Sequence, residues 1–100
     1  MSAKSSSKLL LTDFDAAEYL DSPEATIEYL NQAFATGEPA LINAAIGDVA
    51  RARGMSNVAK TAKLGRQSLY KALDKGGNPS VDTLVRVMSA LGLKLTAEEA

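Results

Sequence analysis

Four side chains that can hydrogen-bond to DNA bases or phosphates cluster in the segment RQSLYK, residues 66–71. They are Arg66, Gln67, Ser68 and Lys71. If a helix runs through this segment to about residue 75, positions 67, 68 and 71 lie along one side near its N-terminal end. In the major groove of DNA, Arg or Lys pairs with guanine and Gln pairs with adenine. The spacing therefore predicts a helix whose exposed side reads base edges.

A second short helix must hold this one in place. SNVAKTAK (56–63) predicts about two helical turns, followed by a turn at Leu64-Gly65. Two helices joined this tightly need small and apolar residues between them. The sequence has such residues at the required positions: Ala59, Ala62, Leu64, Leu69 and Leu73. These features predict a helix-turn-helix. Further polar residues around the pair are expected to contact phosphates: Ser56, Asn57, Lys60, Thr61, Lys63 and Lys75.

The same pattern also fits a plain helical bundle whose solvated face happens to be basic. Its context separates the two interpretations. The short pair lies inside a five-helix order, after a helix that is apolar nearly all round and before an amphipathic one. This order favours a DNA-binding domain over a coincidental pattern.

The net charge of −1 conceals two opposed halves. Residues 1–54 carry four Lys or Arg against eight Asp or Glu, a net of −4. Residues 55–100 carry seven against four, a net of +3. Between Met55 and Lys75 there are five positive residues and one negative. Charge asymmetry between halves is itself an indication of binding partners.

The chain has no cysteine and no histidine. That excludes disulfides, thiolate chemistry and most zinc sites, and it removes the usual general base at neutral pH. GEPALINAAIGD (37–48) lacks the Gly-Lys-Ser/Thr end of a phosphate loop. No apolar run approaches the roughly 20 residues of a membrane span. We therefore expect a cytoplasmic protein that is not an enzyme, uses no cofactor or metal and has no membrane partner.

Turn and cap signals divide the chain into four parts. They are a disordered, Ser-rich N-terminus (1–8), an N-terminal extension (9–37), a helix-turn-helix domain (38–96) and a tail (97–100). In the extension, LLLTDFD predicts a short strand or an extended arm, and a short helix follows from Asp15 to Leu20. Ser22-Pro23-Glu24 then starts a longer helix that Gly37 ends. The apolar stripe of that helix is Ile27, Leu30, Ala33 and Phe34.

Within the domain, Pro39 starts a helix that we expect to be central and buried, and Gly54 closes it. Its apolar residues are Leu41, Ile42, Ala45, Ile46 and Val49. Gly47 inside it predicts the close approach of a neighbouring helix. The last helix, SVDTLVRVMSAL (80–91), stops at Gly92 and has apolar residues at helical spacing: Val81, Leu84, Val87, Met88 and Leu91. LKLT (93–96) alternates as a short strand would.

The segment GDVARARGMSNVAKTAKLGRQSLYKALDKGGNPSVDTLVRVMSALGLKL (47–95) resembles the DNA-binding domain of probable addiction-module antidote proteins, within the lambda-repressor-like helix-turn-helix superfamily. Its most specific parts are GDVARARGMS, LYKAL, GNP and LGL. The upstream segment is similar to the N-terminal region of the same proteins. The resemblance implies an all-α, five-helix domain with an N-terminal helical extension. It also implies an antitoxin that neutralises a RelE/ParE-like toxin encoded beside it and represses their shared operon.

Two positions depart from the family pattern. The family usually has glycine where Lys63 stands, and serine or threonine where Gly65 stands. Either Lys63 adopts a left-handed backbone at some cost, or the turn differs locally. Gly65 can still cap a helix, less well than serine.

The acidic half suits a basic toxin through charge complementarity. Candidate anchors are Tyr19, Tyr29 and Phe34, since aromatic residues often dominate interfaces. The alternative is that the apolar residues of 9–36 simply cover the helical core while the acids face water. We also expect a homodimer on double-stranded operator DNA, because dimers read two half-sites about 34 Å apart.

The sequence does not decide which surface forms the dimer interface. LKLT can pair with its copy in a second chain or with LLLT of the same chain, and the exposed part of the last helix near Met88 is another seam. An alternative function is a helical protein-interaction module, or a stand-alone regulator without a toxin.

Overall fold

Five helices and no strand make up the part of the chain that the computed structural model describes, namely residue 20, residues 22–74 and residues 76–100. In chain order they are α1 Pro23–Thr36, α2 Pro39–Arg53, α3 Met55–Ala62, α4 Arg66–Ala72 and α5 Val81–Ala90. The predicted all-α class is confirmed. The predictions for residues 1–19, including the LLLT strand, most of the short helix after Asp15 and the anchor Tyr19, lie outside the described residues, as does Lys75.

The first two helices begin and end where their local sequence predicts. The Ser22 hydroxyl accepts a hydrogen bond from the Ala25 N–H (3.1 Å), and Pro23 takes the first helical position. This arrangement satisfies one of the N–H groups that every helix start leaves unpaired. Gly37 ends α1 in a left-handed conformation with φ 68°. Pro39 begins α2, and Gly54 follows its last residue with φ 96°.

Several predicted helix boundaries differ from the structure, and one predicted strand is not found among the described residues. α3 begins at Met55 instead of Ser56, because Gly54 already accepts the first helical hydrogen bond, from Val58 N–H (3.0 Å). α4 ends at Ala72, since the chain turns at Asp74, which accepts a hydrogen bond from Gly77 N–H (2.8 Å). LKLT (93–96) forms no strand, because a strand needs a neighbour to pair with and the described chain places none beside it.

The centre of the fold is formed by α2 and α3. α1 packs against α2, and α3 packs against α2, α4 and α5. The predicted burial of α2 holds for Ala45, Ile46 and Val49, but Leu41 is 52% exposed. In α1, Leu30 is buried whereas Ile27 is 47% exposed. The reason is that α1 is covered on one side only, and Ile27 lies about 100° around the helix from the buried Thr26.

The last helix buries its predicted residues only in part. Val87, Met88 and Leu91 belong to the core, with Met88 only 3% exposed. Met88 itself is already covered within one chain, so a seam on the last helix would use the residues that α5 leaves exposed near it. The large apolar side chains that α5 leaves exposed are Val81 and Val85.

Side-chain hydrogen bonds tie the helices together where apolar contact ends. Arg53, at the end of α2, donates to the buried Thr26 hydroxyl (3.1 Å) and to the Leu91 carbonyl (3.4 Å), which links α1, α2 and the end of α5. The buried Asn43 amide donates to the Gly77 carbonyl (2.8 Å) and so holds the loop after α4 against α2. Among the described residues, no helix is long and apolar enough to cross a membrane.

Two glycines in the chain show how closely backbone segments approach. A Cβ added to Gly47 would lie 3.3 Å from the Leu73 carbonyl oxygen, so the predicted close approach at Gly47 is confirmed. A Cβ on Gly77 would overlap the Ala72 carbonyl and lie 2.6 Å from the Lys71 carbonyl. The loop therefore seats directly on the C-terminal end of α4.

We expect Gly77→Ala to lower the free energy of unfolding by about 1–3 kcal/mol, because the new methyl group must displace backbone atoms. Gly76→Ala is the matched control, since a Cβ on Gly76 meets nothing within 4 Å. Urea denaturation of both variants measures the difference. Equal midpoints would show that the loop is not seated on α4 as described.

Candidate nucleic-acid interface

The turn between α3 and α4 is built on a left-handed lysine. Lys63 has φ 60° and ψ 46°, and it is the one non-glycine residue with positive φ in the described chain. Leu64 N–H donates to the Ala59 carbonyl (2.9 Å) and Lys63 N–H to the Lys60 carbonyl (3.1 Å). This pair of bonds is a Schellman motif, which satisfies the carbonyls at a helix end. Of the two alternatives for the turn, the left-handed lysine is the one observed.

The same motif closes α5, with a glycine in the equivalent position. Leu93 N–H donates to the Met88 carbonyl (2.8 Å) and Gly92 N–H to the Ser89 carbonyl (2.9 Å). Gly92 has φ 79°. The chain thus uses glycine once and lysine once for the same backbone shape, and the lysine costs about 1–2 kcal/mol that glycine does not.

The start of α4 has no side-chain cap. Gly65 is the N-cap residue, with the extended angles φ −66° and ψ 142°. Its carbonyl accepts the first helical hydrogen bond, from Leu69 N–H (2.9 Å), and no side chain caps the N–H groups of the first turn. Gly65 therefore caps α4 as expected, without the hydroxyl that serine would add.

The predicted inner contact between α3 and α4 is confirmed. Ala59 and Ala62 on α3 are buried, as are Leu69 and Leu73, while Leu64 in the turn is half-buried. The small alanine side chains let α4 pack closely on α3. Arg86 of α5 adds a hydrogen bond from its Nη1 to the Ala62 carbonyl (3.5 Å), which ties the end of α3 to α5.

All the predicted DNA-contacting residues that the structure describes are exposed. On α3, positions 56, 57, 60 and 61 recur at helical spacing, which places them on one side of that helix. On α4, positions 67, 68 and 71 share a side in the same way. The exposed set is Ser56, Asn57, Lys60, Thr61, Lys63, Arg66, Gln67, Ser68 and Lys71. Their contact with DNA stays a prediction, and Lys75 lies outside the described residues.

The positive charges of this surface are not neutralised within the described chain. The ion pairs among the described residues join Asp48 to Arg51 (2.8 Å) and Asp82 to Arg86 (3.1 Å), and neither pair includes a charged side chain of α3, the turn or α4. Residues 55–74 carry Lys60, Lys63, Arg66 and Lys71 against a single acid, Asp74. We call the exposed side chains of α3, the turn and α4 the basic face. Uncompensated charge on one face is what binding to phosphates requires.

The sequence interpretation missed one residue of this surface, Tyr70. The guanidinium carbon of Arg66 lies 5.7 Å from the centroid of the Tyr70 ring, and Tyr70 is 42% exposed. This distance is within the range of a cation–π contact, which limits the freedom of the arginine head group. The i, i+4 spacing of the two residues is the sequence signal that would have found it.

The described residues also bear on metal chemistry. They contain no group of three or more His, Cys, Asp or Glu that could hold a metal ion. The exposed side chains of the basic face offer hydrogen-bond donors and positive charge to a ligand.

Comparison with known proteins identifies one family. A family model described as "Probable addiction module antidote protein" matches residues 10–99. An uncharacterized protein of Haemophilus influenzae (strain Rd) is 44% identical to the chain over 90 residues, which are 90% of this chain and 93% of the relative. No solved structure matches the chain significantly.

Lys63→Gly is expected to raise the free energy of unfolding by about 0.5–1 kcal/mol. Glycine removes the steric cost of the left-handed backbone at position 63, and the greater conformational entropy of glycine in the unfolded chain cancels only part of that gain. Gly92→Lys is the reciprocal change in the second copy of the motif and should destabilise by a similar amount. Lys63→Ala controls for loss of the side chain, since it keeps the strained backbone. Chemical denaturation of the three variants would contradict this account if Lys63→Gly and Gly92→Lys moved stability in the same direction.

Proposed function

We propose, from the fact that the chain belongs to the family of probable addiction module antidote proteins, that it is the antitoxin of a type II toxin–antitoxin module. In this proposal it neutralises a RelE/ParE-like toxin and represses its own operon. It acts by binding alone, without catalysis. The family supports the antidote role, and the structure supports the DNA-binding part of the proposal through one observation, the uncompensated basic face.

The two short helices are proposed to form a lambda-repressor-like helix-turn-helix, with α4 as the recognition helix. Three features support this: the tight Lys63–Gly65 turn, the buried alanines between α3 and α4, and the exposed polar side of α4. Arg66, Gln67, Ser68 and Lys71 would face base edges. The surrounding residues would hold phosphates and so set the orientation on the duplex: Ser56, Asn57, Lys60, Thr61, Lys63 and Lys75.

The protein is proposed to bind its operator as a homodimer. One recognition helix of seven residues reads few base pairs, and a symmetric pair doubles the site and fixes the half-site spacing. With Met88 buried, the apolar residues that α5 offers to a second copy are Val81 and Val85. Val81 is 73% exposed and Val85 is 50% exposed, so both side chains are accessible to such a contact.

Specific DNA binding should depend on the exposed side of α4. We expect Arg66→Ala and Gln67→Ala each to weaken binding to the promoter of the protein's own operon by about 1–3 kcal/mol, while leaving binding to random DNA nearly unchanged. Lys60→Ala should lower the slope of log affinity against log salt by about 1, because Lys60 is assigned to a phosphate. Fluorescence titrations at several salt concentrations measure both quantities.

Matched controls exist elsewhere on the surface. Gln32→Ala, on the exposed side of α1, and Lys94→Ala, beyond α5, remove the same side chains away from the basic face. They should leave affinity and salt slope unchanged. If the wild-type protein bound promoter and random DNA equally, the specific-repressor proposal would fail and the helical interaction module would be favoured.

Toxin neutralisation has its own test. The product of the reading frame beside this gene should co-elute with this chain in size-exclusion chromatography after co-expression. It is expected to be basic, from the charge of the surface that it must fit. Gln67→Ala should not disturb the complex, because α4 is assigned to DNA. Separate elution of the two proteins at micromolar concentration would count against the antitoxin role.

A further inference from the structure

The outward side of α1 carries a continuous stripe of six exposed residues that the helical core does not use. They line a shallow groove along the helix and recur at helical spacing. We call them the α1 stripe: Glu24, Ile27, Glu28, Asn31, Gln32 and Ala35. The stripe spans eleven residue steps, roughly 17 Å at 1.5 Å per residue.

The opposite side of α1 is fully occupied. Thr26 and Leu30 are buried, and α1 packs against α2. Ile27 points away from this contact and is the large apolar residue that α1 leaves exposed. A single exposed isoleucine is ordinary on a protein surface. What distinguishes this one is its position between two carboxylates, on a helix face with no basic residue.

The α1 stripe belongs to a stretch of sequence whose charged residues are all acidic. Residues 9–50 contain eight Asp or Glu and no Lys or Arg. Glu24 and Glu28 are exposed and form no ion pair with any described residue. Asp48, by contrast, is held by Arg51 and accepts a hydrogen bond from the Tyr29 hydroxyl. The field over the stripe is therefore negative and uncompensated by the described chain.

That charge excludes two occupants. DNA would bring phosphates against Glu24 and Glu28. A second copy of this chain in a symmetric contact would bring two negatively charged patches together, because an isologous interface pairs the same patch of both subunits. The stripe instead fits a basic protein surface with an apolar pocket for Ile27 and Lys or Arg side chains beside it.

We infer that the α1 stripe is the docking face for the toxin, with Ile27 as the apolar anchor and Glu24 and Glu28 as the charges that select a basic partner. This inference rests on the proposed antitoxin function. The mode is that of a helix whose contacts recur at i, i+3, i+4 and i+7, with one apolar anchor and two carboxylates in place of a wholly apolar side. Because α1 packs on α2 and α4 packs on α3, the stripe and the basic face lie on different helices, and variants of one should leave the other functional.

The test uses the full chain and the purified product of the adjacent reading frame, with biolayer interferometry as the measurement. Ile27→Ala should weaken the complex about tenfold or more, mainly through faster dissociation, as expected for an apolar anchor. Glu28→Lys should weaken it about tenfold, mainly through slower association, and should reduce its dependence on salt. Promoter affinity of both variants should equal that of the wild type.

Two matched controls lie off the stripe. Leu41→Ala removes an apolar side chain of similar exposure from α2, and Glu38→Lys reverses one exposed acid in the loop before α2. Both should change the affinity less than about threefold, the scale of effects at positions outside a hot spot. Thermal unfolding of all four variants checks that each is folded.

The outcomes separate the two proposals. If the wild-type chain fails to bind the neighbouring product, the antitoxin function is overturned and this inference with it. If the wild type binds and the stripe variants bind as tightly as the controls, the antitoxin function stands and the α1 stripe is overturned as its contact. If stripe variants instead dissociate a homodimer, the occupant is a second copy, which also overturns the inference.

Discussion

The direction of α4 depends on the conformation of one residue, Lys63. α4 has only seven residues, and its main helix contact is with α3. A helix this short does not hold its own position, because nucleation is costly and few hydrogen bonds repay it. The Schellman turn at Lys63 and Leu64 therefore sets the angle at which α4 leaves α3. That angle decides which side of α4 is exposed.

The C-terminal end of α4 is held by the loop that follows it, through contacts with the backbone of α4. Gly77 lies against the Lys71 and Ala72 carbonyls, and the buried Asn43 amide binds the Gly77 carbonyl from α2. The helix is thus fixed at its start by a backbone turn and at its end by a loop seated on it. This leaves the whole outward side of α4 without an internal role, so its side chains can serve a ligand without weakening the fold.

Local signals in the sequence predict most helix ends. Tertiary contacts decide the remaining ends and the exposure of individual side chains. Ser22-Pro23 and Gly37 bound α1 because caps and left-handed glycines act within a few residues. The end of α4 at Ala72 was not predictable in this way, since it depends on Gly77 folding back onto the helix. The exposure of Ile27 and Leu41 was missed because periodicity defines an apolar side of a helix but not how much of it a neighbour covers.

In the candidate site, too, the sequence predicted some features and tertiary structure decided others. The exposed positions on α3 and α4 followed from helical spacing. The left-handed Lys63 was one of two alternatives that the sequence left open for the turn, and the structure decided between them. The contact between Arg66 and Tyr70 did not follow, because i, i+4 spacing permits many pairs and rotamers select among them. The net charge of −1 was the least informative number, because it sums the acidic residues of 9–50, a stretch without Lys or Arg, and the positive residues of the basic face.

The presence of lysine at position 63 links the strain of the turn to the charge of the surface. The chain closes α5 with Gly92 in the same motif, so the unstrained solution is available to it. A residue held in a costly conformation gives a reason to look for a function that offsets the cost. Lys63 stands between the exposed residues of α3 and those of α4, where a positive charge extends the basic face without interruption. Lys63 would then have two roles. Its backbone sets the orientation of α4, and its side chain adds positive charge to the surface that would bind DNA.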